Sequence, residues 1–268
     1  MAEWQFSLDE RNGFIYYDDP NPLAERVVFL FHGLGVDSRS WYFQVAALCE
    51  AGFRPLVIDL PGYGKSVWPT KRWSFEGVAK ILKEFTTTFS ADNKYIVGIS
   101  LGGAFTLRLL AMAPGFFDGA VLINAFSKIK PHGLSNTIFL FTRLLKVSTM
   151  PMKEQAEYMA ARLFPDQKDD LFREMIVEQI VSSDRKVYLQ TLLQLAALNL
   201  DRNLWKVTTP CVLITGAEDS TIHPESQAIM AKSLSNCSQI VIQGAGHAVI
   251  VQEPESVNAI ILNFIKTH

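Results

Sequence analysis

The chain has 268 residues, with 25 Lys+Arg against 27 Asp+Glu, a formal net charge of -2, 49% hydrophobic residues and 3 Cys. This length allows one large domain or two small ones around a core that needs no disulfide or metal staple, and the apolar fraction excludes a disordered chain. The near-zero charge leaves no basic stripe of the kind that binds DNA or RNA, so no nucleic acid partner is expected.

Met1-Ala2-Glu3-Trp4-Gln5-Phe6-Ser7 lacks the basic flank and apolar stretch of a secretory signal. Residues 14–17 offer one short, weak candidate for an opening strand. From there, short apolar runs at 27–31, 55–58, 95–97, 121–123, 212–215 and 239–242 alternate with amphipathic stretches. The stretches lie at about 40–51, 74–89, 101–113, 224–234 and 254–266. The apolar runs are nearly continuous in Val, Ile, Leu and Phe, as strands covered on both faces tend to be. This alternation predicts an α/β fold with a doubly wound, mostly parallel sheet. No run approaches the ~20 residues that span a bilayer, so no stable membrane insertion is expected.

The rhythm breaks between Ser127 and Leu204, where no strand pattern is found. Helices are expected there at roughly 134–147, 152–163, 169–181 and 185–198, punctuated by Pro151 and Pro165, with Ser182-Ser183-Asp184 as a cap before the last. One crossover needs one helix, so four read as a cap or lid: residues 127–204 inserted into a core formed by 1–126 and 205–268. Cys49, Cys211 and Cys237 form no Cys-x-x-Cys pair and are expected to be buried free thiols in a reducing, cytoplasmic compartment.

The sharpest motif is Gly98-Ile99-Ser100-Leu101-Gly102-Gly103, placed between the run ending at Val97 and the stretch beginning at Ala104. A serine on so tight a strand-to-helix turn needs neighbours without side-chain bulk, which Gly98 and Gly102 supply. The helix N-terminus also directs N–H groups toward developing negative charge. A serine hydroxyl needs a base. Of His32, His132, His223, His247 and His268, the best placed is His247, in the loop Gln243-Gly244-Ala245-Gly246-His247 after the last strand. His32 reads as a loop brace and His223 as a helix cap. The run 212–215 ends in Gly216-Ala217-Glu218-Asp219, which offers a carboxylate to orient the base; Asp219 is preferred and Glu218 is the fallback. His32-Gly33-Leu34-Gly35 follows the 27–31 run, and the backbone N–H groups of Leu34 and Leu101 are expected to form an oxyanion hole.

Two other motifs fail on spacing. Gly64-Lys65-Ser66 would need a phosphate-loop glycine where Asp59 stands, and Gly33-x-Gly35 has Ser38 in place of a dinucleotide fingerprint's third glycine. No metal-ligand spacing appears, so neither metal nor cofactor is expected.

Together, His32–Gly35, Asp59-Leu60-Pro61-Gly62-Tyr63-Gly64-Lys65-Ser66, Gly98–Gly103, Gly216–Asp219 and Gly244–His247 resemble the pattern of α/β-hydrolase-fold serine hydrolases. The resemblance implies an eight-stranded sheet with its second strand antiparallel and a lid inserted after the sixth. It also implies Ser100, Asp219 and His247 as catalytic triad. The expected reaction is hydrolysis of carboxylic esters of small to medium, largely apolar substrates through an acyl-enzyme. Enol-lactone hydrolysis and carbon–carbon-bond hydrolysis remain open alternatives, as does a non-turnover receptor on the same fold. Asn124, His132, Phe139 and Met159 are expected to line the substrate pocket; Lys128, Lys130 and Arg143 read as solvated charges.

Overall fold

Strands rich in Val, Ile, Leu and Phe need cover on both faces, and the computed structural model shows how they obtain it. It describes residues 3–7, 14–129, 142, 145–165 and 170–268. The strands are β1 (Glu3–Ser7), β2 (Phe14–Asp18), β3 (Arg26–Phe31), β4 (Arg54–Ile58), β5 (Asn93–Ile99), β6 (Gly119–Ile123), β7 (Cys211–Gly216) and β8 (Cys237–Ile242). They form one eight-stranded sheet in the order β1-β2-β4-β3-β5-β6-β7-β8. β2 runs antiparallel to both β1 and β4, and every other pairing is parallel. The expected fold class is therefore the observed one.

Side-chain alternation divides β3 between two cores. Val27, Phe29 and Phe31 pack on one face with Val78, Leu82, Phe105 and Leu109, from helices α2 (Phe75–Thr87) and α3 (Leu101–Met112). Val28 and Leu30 pack on the other with Leu48, Val257 and Ile261, from α1 (Tyr42–Glu50) and the C-terminal helix (Pro254–Thr267). Ser74 caps α2 by accepting the Gly77 N–H. The order reverses around β3, whose neighbours are β4 and β5. The crevice beyond the carboxyl ends of β3 and β5 is where open α/β sheets hold their ligands.

Between β6 and β7 lie α4 (Met152–Leu163), α5 (Asp170–Ser182) and α6 (Arg185–Ala197). The helix expected at 134–147 lies largely outside the described residues; 145–149 are helical. Asp184 caps α6 by accepting the Val187 N–H, as its position suggested. The two ends of this segment meet, with the Leu200 N–H donating to Ser127 O at 2.8 Å and Ser127 Oγ donating to Asp201 at 2.6 Å. Among the described residues no helix is long and apolar enough to cross a membrane.

The cysteines need correction. Only Cys211 is buried; Cys49 and Cys237 are partly exposed. Cys211 and Cys237, far apart in sequence, are register partners across β7 and β8, and both are free thiols.

Candidate active site

Ser100 sits between the last residue of β5 and the first of α3, with φ 54° and ψ -111°. Positive φ is uncommon for a residue with a Cβ, and here the surroundings impose it. The Ser100 N–H is held by Ile123 O at 2.9 Å, and Ser100 O accepts the Ala104 N–H at 3.0 Å to start the helix. A Cβ on Gly98 would strike the Gly102 carbonyl and Thr106, and one on Gly102 would strike the β3 backbone at Phe31. The glycines thus let α3 press against β3 and β5 while the serine projects from the turn.

β7 and β8 bring the other two groups to the same sheet edge. His247 Nε2 lies 3.0 Å from Ser100 Oγ, and its Nδ1 lies 2.8 Å from Asp219 Oδ2. Asp219 is 1% exposed, whereas the fallback Glu218 is exposed to solvent. Asp219 Oδ1 accepts the Thr221 and Ile222 N–H groups at 2.8 and 2.9 Å, and Oδ2 also accepts Gln227 Nε2 at 3.2 Å. These donors fix the carboxylate, so Nδ1–H of a neutral His247 donates to it and Nε2 is left as an acceptor facing the serine hydroxyl.

Leu34 and Ser100 border the same cavity, and Leu101 opens α3 ahead of its first intrahelical bond. The loop that carries Leu34 is braced by His32. The buried ring donates from Nδ1 to Gly33 O at 2.7 Å and accepts the Leu60 N–H at Nε2 at 2.9 Å. Burial pushes this imidazole below the ordinary histidine range, which suits the neutral tautomer those partners require. Nearby, the Asp59 carboxylate accepts the Ser38 and Lys65 N–H groups, both at 2.7 Å, and burial pushes its pKa up.

A match to the alpha/beta hydrolase family extends over residues 27–260. The chain belongs to the alpha/beta hydrolase family. Among its relatives, human monoacylglycerol lipase ABHD6 is 20% identical, over 98% of this chain and 84% of that protein. The esterase EaEST of Exiguobacterium antarcticum superposes with a TM-score of 0.89 at 19% identity, covering 99% of this chain and 100% of that one. The enol-lactonase of Burkholderia xenovorans LB400 superposes at 0.87 with 20% identity, covering 98% and 100%.

In this α/β-hydrolase the Ser100–His247 pair opens onto a cavity of about 480 Å³. Its wall is largely apolar, including Phe126, Met159, Phe164, Phe172, Ile176 and Leu192. Met159, expected in the substrate pocket, borders this cavity. His132 and Phe139 lie outside the described residues, as do Lys130 and Arg143. Lys128 borders the cavity, but its ammonium pairs with Asp201 rather than standing as a lone solvated charge.

Asn124 corrects an expectation. It is fully buried, with φ 43°, and does not border the cavity. Its Nδ2 donates to Gly246 O at 3.0 Å and to His247 O at 2.9 Å, while Oδ1 accepts the Gly216 N–H at 2.9 Å. With its amide so engaged, Asn124 ties the His247 loop to the end of β7 and has no role as a pocket wall. Two residues were missed. Gln227 also bridges Thr215 and Ile222 O, and Gln179 lies on the cavity wall. Each is a polar residue in an amphipathic helix, with no sequence signal to separate it from a solvated position.

Proposed function

We propose that the protein is a carboxylic-ester hydrolase acting through an acyl-enzyme on Ser100. The supporting observation is the continuous Ser100–His247–Asp219 hydrogen-bond chain, with spacings of 3.0 and 2.8 Å, at the wall of a largely apolar cavity. Ser100 Oγ bonds to the carbonyl carbon as its proton passes to His247 Nε2. Charge on the resulting oxyanion is met by the Leu34 and Leu101 N–H groups, and the imidazolium by Asp219. The carbon–oxygen bond to the alcohol then breaks as His247 returns the proton to the leaving oxygen. Water, deprotonated by His247, attacks the acyl-Ser100 carbon and releases the carboxylic acid and the serine.

The apolar wall favours substrates of small to medium size with aliphatic or aromatic groups. Residues 127–204 serve as the lid, because α4 to α6 supply much of that wall and the segment's ends meet at Ser127, Leu200 and Asp201.

A series of 4-nitrophenyl esters of increasing acyl length tests the proposal, with wild type beside Ser100→Ala. Turnover with a burst of nitrophenol in wild type, and neither in the variant, is expected. Absence of turnover and burst in wild type refutes the ester reading. Far faster turnover of enol-lactones or ring-cleavage dienoates replaces it.

A further inference from the structure

Polar groups on the cavity wall differ in their freedom. The Arg39 side chain is 49% exposed and paired with Asp37 and Glu178, and Lys128 is paired with Asp201. His223 lies exposed at the start of α7 (Pro224–Lys232). Gln179, on α5, is different: it borders the cavity yet is only 3% exposed.

Its orientation follows from its partner. The Asp37 backbone N–H can only donate, and it meets Gln179 Oε1 at 3.2 Å. The oxygen must therefore face Asp37, which turns the NH₂, on the opposite side of the Cγ–Cδ axis, away from it. No acceptor for Nε2 is found among the described residues. The position is rigid, because α5 is tied to the 33–37 loop a second time. Just past α5, Ser183 Oγ lies 3.2 Å from Gly35 O and 3.1 Å from Gln179 O, between which it shares its proton, and a Cβ on Gly35 would strike Tyr188 and press on Ile180. An amide donor with no protein acceptor, on a nearly buried side chain at the wall of an apolar cavity, is left to cavity water or to a ligand that replaces it.

We propose that Gln179 Nε2 is a specificity-determining donor for a second oxygen on the substrate. This inference rests on the ester reading. The substrate class it implies is an ester carrying a further acceptor, an ether, hydroxyl or keto oxygen, in an otherwise apolar acyl or alcohol part.

The test uses the full chain and matched pairs of 4-nitrophenyl and glyceryl esters in which one CH₂ is replaced by an ether oxygen, position by position. For at least one pair, wild type should favour the oxygen-containing member by about tenfold in kcat/KM, the effect of one neutral hydrogen bond. In Gln179→Leu that ratio should fall to about one. Gln179→Glu, which keeps an oxygen for the Asp37 N–H but lacks the NH₂ donors, should lose the ratio too. A residue that only steadied the 33–37 loop would lower both members of a pair equally and leave the ratio intact; that result overturns the proposal. So does the absence of preference in every wild-type pair. Turnover of the plain esters reports the ester reading independently, and its absence in wild type refutes both.

Discussion

Asp219→Asn is the substitution whose consequence the hydrogen bonds specify most closely. Asp219 Oδ1 accepts two backbone N–H groups, from Thr221 and Ile222. An asparagine must keep its oxygen there, because backbone amides cannot accept. Its NH₂ then faces His247 Nδ1 and Gln227 Nε2, where a carboxylate oxygen now accepts at 2.8 and 3.2 Å. Facing a donor, the imidazole adopts the Nε2–H tautomer and loses the lone pair that receives the Ser100 proton. A tautomer reversal of this kind in another serine hydrolase costs about 10⁴-fold in kcat, or about 5.5 kcal/mol of barrier. The two NH₂ groups left face to face cost about 1–3 kcal/mol of stability as well. Steady-state kcat on a short-chain 4-nitrophenyl ester reads the first effect, and urea unfolding reads the second. Glu218→Gln, at an exposed position, should stay within about twofold of wild type. An Asp219→Asn enzyme with more than a tenth of wild-type kcat, or a Glu218→Gln enzyme with an equal loss, refutes the reasoning.

At the oxyanion loop, Leu34→Pro removes a backbone donor that Leu34→Ala retains, so kcat of the proline variant should fall about 10²-fold below that of the alanine variant; equal values contradict the role of that N–H. Asn124→Ala removes hydrogen bonds to one buried backbone N–H and two partly buried carbonyls, and should lower the urea-unfolding free energy by about 2 kcal/mol, with kcat falling as the His247 loop loosens. A rise in KM alone, at unchanged stability, would return Asn124 to the substrate pocket. Burial holds His32 below the ordinary histidine range, so by NMR its ring should titrate below the value of about 6.5 of a free imidazole. The unfolded chain binds that proton first. This component of stability is therefore intact above about pH 6.5 and is lost as pH falls below it; a ring titrating at or above 6.5 contradicts the assignment.

Much of this architecture is legible in the sequence because it rests on local signals. Continuous apolar runs mark the inner strands, and a serine between Gly98 and Gly102 at a strand–helix junction has a steric cause that distant residues do not alter. β1 lacks that signature: Glu-Trp-Gln-Phe-Ser is a short, alternating segment at the sheet edge. Asp219 and Glu218 are chemically equivalent in sequence, and only the turn after β7 buries one and exposes the other. The work of Asn124 depends on carbonyls at 246 and 247 and an N–H at 216, which come together only when β6, β7 and the His247 loop are assembled. Cys211 and Cys237 became neighbours for the same reason, through strand register rather than sequence spacing. Gln179 is a polar residue on a helix until Asp37 turns its oxygen inward and leaves the other end of the amide to the cavity.

The central claim is that Ser100 is the nucleophile, and covalent labelling tests it most directly. Wild-type protein treated with a fluorophosphonate, digested and mapped by mass spectrometry should carry one phosphonyl adduct, on Ser100. Ser100→Ala should carry none, and His247→Ala should label far more slowly. Folded wild-type protein that remains unlabelled, or an adduct on any other residue, would contradict the account.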